Sequence, residues 1–348
     1  MKKPKISIII PVYNDEKYLE ECLNSVINQS FNDFECICVD DCSIDKSAEI
    51  IESFIQKDKR IKYIKHETNQ GVSNSRYTGL LQAKADWIAF VDHDDVISPK
   101  YLEFLYEEVD DENDVDAVCC KNEDLSNNLC FDENKIKGKR TYNCKDEIVN
   151  RKYAENSNIL CIWAKIIKKE ILLNLGVREY KNIYPKTWFE DLYVMSYYYI
   201  ECKNITVIDN VLYGYRVNME SLSHTIIDEE YYVNRVECDL MLIDKYLQQK
   251  MYEKAFELYE GNLLAYMKAI YFLKEKAKNI EKCSYMINNF NKAYDKNKSL
   301  HKRMNIYTRI NTRFFRSLPT LWEKTVGFLY FDVASKFPGL YKKLGSLR

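Results

Sequence analysis

A chain of 348 residues exceeds the usual single domain of about 100–200, so one large domain with an appendage, or two domains, is expected. A hydrophobic content of 46%, 14% aromatics and only 9 Gly and 6 Pro exclude a disordered or fibrous chain. The net charge of −2 is uneven: 301–348 hold ten Lys or Arg against two acidic residues, a net of +8, and the first 300 residues carry −10, which excludes nucleic acid as a partner.

The first half alternates strand and helix signals. Ile6 to Ile10 reads as a buried strand closed by Pro11. A helix with Tyr18, Leu19, Cys22, Leu23, Val26 and Ile27 on one face follows, capped by Asn14 or Asp15. Phe34 to Val39 is the second strand and ends in Asp40-Asp41, after which Asp45 caps a helix bearing Ala48, Ile51, Phe54 and Ile55. Ile61 to Ile64, a helix through Val72, Arg76, Leu80 and Ala83, and the strand Trp87 to Val91 come next. Ser98 then caps a helix with Pro99 at its first position, and Val115 to Cys120 is a fifth strand. This order predicts an α/β fold with a mostly parallel sheet flanked by helices.

Residues 121–160 lack a period and read as a variable insertion. Pattern returns at Ile162 to Lys165, at a helix opened by Trp188 to Asp191, and at strands Ile205 to Ile208 and Val211 to Val217. Beyond 226 the sequence turns helical, with Val233, Val236, Leu240, Ile243 and Leu247 forming a seam for another helix. The predicted division is 1–225, its halves meeting near 120, and a helical region 226–348. In the last stretch, cations alternate with Phe314, Phe315, Trp322, Phe328, Tyr330 and Phe331. That mixture suits an anionic membrane surface, packing on its own domain, or a second subunit of a homo-oligomer.

Twelve cysteines without a CxxC pair suggest reduced thiols in a cytoplasmic protein. The apolar run after the basic N-terminus is too short for a signal peptide, and no stretch of about 18 apolar residues predicts a membrane span.

Chemistry concentrates where strands end: Tyr13-Asn14-Asp15, Asp40-Asp41 and Asp92-His93-Asp94-Asp95. In open parallel sheets, ligands bind beyond those carboxyl ends. Adjacent carboxylates repel and need water or a cation, and oxygen donors suit hard divalent ions such as Mg2+ bridged to nucleotide phosphates. His93 reads as a spectator there, since hard cations prefer oxygen. The blander role for Asp94 is a helix cap. No Gly-rich phosphate loop precedes a helix, which excludes P-loop and GxGxxG nucleotide binding.

Ile8 to Asn14, Val39 to Asp45, Asn69-Gln70-Gly71 with Arg76, Phe90 to Asp95 and Glu190-Asp191 follow one another as in the family-2 glycosyltransferases of GT-A fold, which this chain resembles over about residues 5–225. The resemblance implies inverting transfer of a sugar from a nucleotide-sugar donor, a UDP-sugar by preference, to a hydroxyl of a glycan or lipid-linked acceptor in bacterial surface polysaccharide synthesis. It implies Mn2+ or Mg2+ as cofactor; the basic aromatic tail, read by itself, points to a peripheral position at the inner face of the cell membrane. Pro11 and Tyr13 then belong to the base pocket, Tyr13 stacking on the base, and Asp41 accepts from the base N–H. Arg76 touches the donor, Asp92 lies near the ribose or metal, Asp94 holds the metal, and Asp95 orients that turn. Asp191 is the general base with Glu190 as second candidate, Tyr215, Arg216 and Ser221 close over the diphosphate with His224 nearby, and Trp163 and Lys165 form the acceptor-side wall. Cys42 stands where a Gly is common, and Tyr77 where an Asn is. Two rivals are a haloacid-dehalogenase-type phosphatase or phosphotransferase, which the same acidic motif fits, and a non-catalytic membrane-associated scaffold.

Overall fold

A computed structural model describes residues 3–110, 112–127, 129–144, 158–174 and 190–217, with single positions between 239 and 258. Contacts divide the chain into one unit of Met1–His224 and another of Thr225–Arg348. In the second unit, Leu242, Ile243 and Tyr246 are buried helical positions. The rest of the expected seam and the basic tail lie outside the described residues.

The first unit is a nine-stranded mixed sheet in the order β3-β2-β1-β4-β8-β6-β9-β5, with β7 paired to β9. Its strands are β1 Ile6–Val12, β2 Phe34–Asp40, β3 Ile61–Lys65, β4 Trp87–Phe90, β5 Val96–Ile97, β6 Val115–Asp124, β7 Lys139–Asn143, β8 Lys165–Lys168 and β9 Asn204–Tyr215. β3, β2, β1 and β4 run parallel, whereas β8 is antiparallel to both β4 and β6. β1 and β2 are buried at every residue, the pattern of strands covered on both faces.

The helices are α1 Leu19–Ile27, α2 Ser47–Lys57, α3 Val72–Gln82, α4 Tyr101–Glu107, α5 Lys169–Asn174 and α6 Glu190–Glu201. α1 buries Leu19, Cys22, Leu23 and Val26, one stripe at helical spacing. Each such apolar side chain contributes about 1.5–3 kcal/mol over leaving it exposed. α3 lies so close to the sheet that a Cβ at Gly79 would meet Ile9 Cγ2 at 2.4 Å. Its buried face carries the polar residues Ser73, Asn74, Ser75 and Arg76 in its first two turns.

Several expected boundaries are corrected. β1 does not stop at Pro11 but runs on to Val12. The missing N–H costs nothing because β4 pairs only with Ile6 to Ile9, and the Pro11 carbonyl beyond that point accepts from His93 Nδ1 at 2.9 Å. Neither Asn14 nor Asp15 caps α1, which starts at Leu19, and Pro99 precedes α4 by two residues instead of opening it. The supposed insertion 121–160 contains the end of β6 and all of β7. The two strands expected at 205–208 and 211–217 are one, β9, with register shifts against β6.

Candidate active site

Two loops at the carboxyl edge are laced together by backbone N–H groups of each that donate to side-chain oxygens of the other. Asn14 N–H donates to Ser43 Oγ at 3.0 Å, Ile44 N–H to Asn14 Oδ1 at 2.9 Å, Asp15 N–H to Ser47 Oγ at 3.1 Å and Glu16 N–H to Asp45 Oδ2 at 2.8 Å. Both loops need a left-handed residue, Asn14 at φ 50° and Cys42 at φ 67°. Asn tolerates that region through local hydrogen bonding, whereas Cys has no such compensation. Asp45 does not cap α2 from the N-cap position; one residue earlier, its Oδ1 accepts Ser47 N–H at 3.0 Å.

The two aspartates ending β2 do different work. Asp40 is internal, with Oδ1 accepting Ser43 N–H at 2.8 Å and Oδ2 accepting the Tyr63 hydroxyl at 2.7 Å. Asp41 Oδ1 accepts Gln70 N–H at 2.8 Å and faces His66 Nδ1 at 2.7 Å, while Oδ2 accepts Gly71 N–H at 2.6 Å. A carboxylate has about four acceptor positions, and three of them are engaged here in a residue that is buried. Gly71, at φ 88°, turns its amide into this carboxylate. Tyr13 stands beside these loops with 46% of its surface exposed.

The acidic turn between β4 and β5 is held from three sides. Arg76 Nη2 donates to Asp92 Oδ1 at 2.7 Å. Asp95 is fully buried: its Oδ2 accepts the Tyr213 hydroxyl at 2.6 Å and its Oδ1 accepts Arg216 N–H at 2.8 Å. Arg216 Nε donates to the Asp94 carbonyl at 2.8 Å, and its far end reaches Glu21 Oε2 at 2.6 Å over the Tyr18 ring. Burial pushes the Asp95 carboxyl well above the usual range, and the charges of Asp92 and Asp94 push it further. His93 makes contacts inside the protein. Besides binding Pro11, its Nε2 lies 3.6 Å from Asp15 Oδ2, and that oxygen is buried without a hydrogen-bond partner. Burial first, then the charges of Asp94 and Asp45, raise the Asp15 carboxyl to about 6, against the pull of His93 and Arg216.

Asp191 sits in the first turn of α6, half-buried. Its charge and those of Asp92 and Asp95 all reach the thiol of Cys161, which burial chiefly raises to about 11, with Lys165 opposing. Trp163 is half-buried and stacks on Tyr213 at 4.9 Å and on Tyr215 at 5.5 Å. Lys165 is placed differently from the wall residue expected: it is fully buried, and its ammonium donates to the carbonyls of Ile159, at 2.9 Å, and Cys161. It holds the loop that carries Trp163 from beneath. Ser221, His224 and the side chain of Glu190 lie outside the described residues.

Among the described residues no three acidic, His or Cys side chains converge on one cation position. A small hard cation is commonly held by one or two carboxylates plus substrate phosphates. Asp92 and Asp94, half-buried in one turn, fit that donor set. Tyr213 and Asp15 were the residues missed. Tyr213 is one tyrosine in an apolar strand, with no local signal; Asp15 showed itself only as a polar residue after a strand.

The glycosyl transferase family 2 profile matches residues 7–176. Glycosyltransferase GlyG of Streptococcus pneumoniae is 30% identical over 239 residues, covering 64% of this chain and 74% of that protein. Poly(ribitol-phosphate) beta-N-acetylglucosaminyltransferase TarS of Staphylococcus aureus is 42% identical over 101 residues, 28% of this chain and 18% of that one. The structure of TarS 1–349 with UDP-GlcNAc superposes with a TM-score of 0.61 at 24% identity, covering 83% of this chain and 81% of that one. A mannosyltransferase from Pyrobaculum calidifontis, solved with GDP-Man and Mn2+, gives a TM-score of 0.50 at 14% identity over 98% and 85% of the two chains.

Proposed function

This chain belongs to glycosyl transferase family 2, and from that premise we propose that it transfers a sugar, with inversion, from a UDP-sugar to a hydroxyl of a glycan or lipid-linked acceptor of a bacterial surface polysaccharide. What supports the reading is the Asp92–Asp95 turn at the carboxyl edge of the sheet, where Arg76 holds Asp92 and Tyr213 and Arg216 hold Asp95, together with Asp191 in the first turn of α6. Family membership sets aside the phosphatase alternative, whose acidic motif follows the first strand rather than the fourth.

In this reading Tyr13 stacks on the base and the remaining lone pair of Asp41 accepts an imide N–H, which uracil has and cytosine lacks. Arg76 fixes the Asp92 carboxylate toward the ribose side, and Arg216 brings a positive charge to the diphosphate end. Mn2+ or Mg2+ on Asp94 and Asp92 would supply Lewis-acid stabilisation of the leaving diphosphate. Asp191 takes the acceptor proton, a role that contributes about 10²- to 10⁴-fold. Trp163, covering Tyr213 and Tyr215, offers the acceptor a flat apolar face.

The division near 225, with a helical region whose basic aromatic tail rests on anionic lipid at the inner membrane face, is part of the same proposal. Among the described residues no helix is long and apolar enough to cross a membrane. Cosedimentation of the full chain with anionic vesicles, weakened by neutralising Lys336, Lys342 and Lys343, tests the tail. A panel of UDP-, GDP- and TDP-sugars with Mn2+ tests the chemistry: hydrolysis of a UDP-sugar that Asp94→Asn abolishes is expected. A wild type inert toward every donor would overturn the reading.

A further inference from the structure

The acidic turn is closed from inside the protein by one phenol. The Tyr213 hydroxyl donates to Asp95 Oδ2 at 2.6 Å, and its phenol oxygen accepts Asp92 N–H at 3.2 Å. It spans the first and last residues of the four that carry Asp92 and Asp94. The reach follows from topology: β5 comes directly after the turn and pairs with the end of β9, Ile97 opposite Tyr213 and Val96 opposite Gly214. The Tyr213 ring is fully buried, with Tyr101 against its edge at 6.2 Å and the Trp163 indole nearly parallel to it at 4.9 Å and 18°. Trp163 also covers Tyr215, the next side chain on that face of β9, at 15°. Ala164, left-handed at φ 57°, and the Lys165 ammonium fix the loop behind the indole.

We propose that Tyr213 is a positioning residue that joins the Trp163 wall to the Asp92–Asp95 turn, so that the seating of the indole sets how well the turn holds a cation. The proposal rests on the reading of Asp92 and Asp94 as cation-holding given above. An indole that shifts either opens its stack or carries the phenol with it. A displaced phenol strips Asp95 of a donor and leaves Asp92 N–H buried without an acceptor, so the carboxylates of Asp92 and Asp94 lose their common frame. Coupling passes through packed groups in direct contact, from a ring that faces the acceptor side to a carboxylate that faces the donor side.

The test is Mn2+ titration of the full chain at saturating UDP, with free Mn2+ read from its electron paramagnetic resonance signal and folding followed by thermal melts. Tyr213→Phe keeps the ring and its stack and removes only the hydroxyl; Mn2+ affinity is expected to fall about 10- to 100-fold. Trp163→Leu is expected to weaken Mn2+ severalfold in the wild-type background and to add nothing in the Tyr213→Phe background. Should Tyr213→Phe not fold, Asp95→Asn, which can accept from only one of the two donors, takes its place with the same expected loss. Wild-type affinity in Tyr213→Phe, or losses that multiply in the double variant, would overturn the inference alone. No Mn2+ uptake by the wild type would overturn the cation reading and this inference with it.

Discussion

Arg76 Nη2 lies 2.7 Å from Asp92 Oδ1, so the first carboxylate of the acidic turn is oriented by a guanidinium from the buried face of α3. A charge-assisted hydrogen bond of this kind is worth about 1.5–3 kcal/mol. Arg76→Met should therefore lower kcat/KM for the donor by roughly 10- to 100-fold. Arg76→Lys should recover only part of the loss, because an ammonium lacks the planar fork. Steady-state donor kinetics check this; kinetics of the wild type in Arg76→Met would separate Arg76 from the donor site.

Asp191 lies on the first turn of α6, apart from the acidic turn between β4 and β5, and is proposed above as the general base. A side chain whose task is proton removal affects the transition state alone. Asp191→Asn is expected to cut transfer by about 10²- to 10⁴-fold while UDP binding by calorimetry stays within about twofold. Loss of UDP binding in parallel with activity would assign Asp191 to the donor pocket instead.

Much of this site was legible because parallel strands buried on both faces are continuous apolar runs. The residue at which each run breaks is then the residue at the carboxyl edge of the sheet: Asp40 and Asp41 after Val39, Asp92 after Val91. What stayed hidden was made by pairing across long separations. β7, Lys-Arg-Thr-Tyr-Asn, is mostly exposed and has no apolar face to announce it; only its pairing with β9 makes it a strand. Tyr213 reaches Asp95 across 118 residues, and no local pattern distinguishes it from Tyr215. Pro11 misled for the opposite reason: a proline ends a strand only where its N–H is needed, and β4 has already stopped there. Lys165 misled because a lysine next to a tryptophan suggests surface, whereas two backbone carbonyls satisfy its charge inside.

Cys42 occupies a left-handed position, φ 67°, in the turn after Asp41. For a residue with a Cβ this costs about 1–2 kcal/mol, and the unfolded-state entropy of a glycine takes back about 0.5–1 kcal/mol. Cys42→Gly also loses a weak thiol contact to the Glu67 carbonyl at 3.5 Å. The net expectation is a gain of roughly 0.5–1 kcal/mol, seen as a rise of about 1–3 °C in the melting temperature. Cys42→Ala, which keeps the Cβ, should show no such gain. Equal melting of the Gly and Ala variants would remove backbone strain as the explanation.

Asp15 supplies a pH dependence whose sign follows from its surroundings. The carboxyl is 9% exposed, its Oδ2 has no hydrogen-bond partner, and its value is raised from 3.8 to about 6. His93 and Arg216 favour its charge; burial, Asp94 and Asp45 oppose it. The folded state therefore binds a proton more readily than the unfolded chain between about pH 4 and 6. Asp15 contributes most below that window, and its contribution is lost as pH rises through 6. At pH 7.5 the cost of keeping it ionised is on the order of 3 kcal/mol. Asp15→Asn should thus stabilise the metal-free protein at pH 7.5 and have little effect near pH 4. Denaturant midpoints of the two proteins in chelator, compared across that range, check the prediction; a stability difference that does not vary with pH would show that the mutation acts through packing and not through the charge.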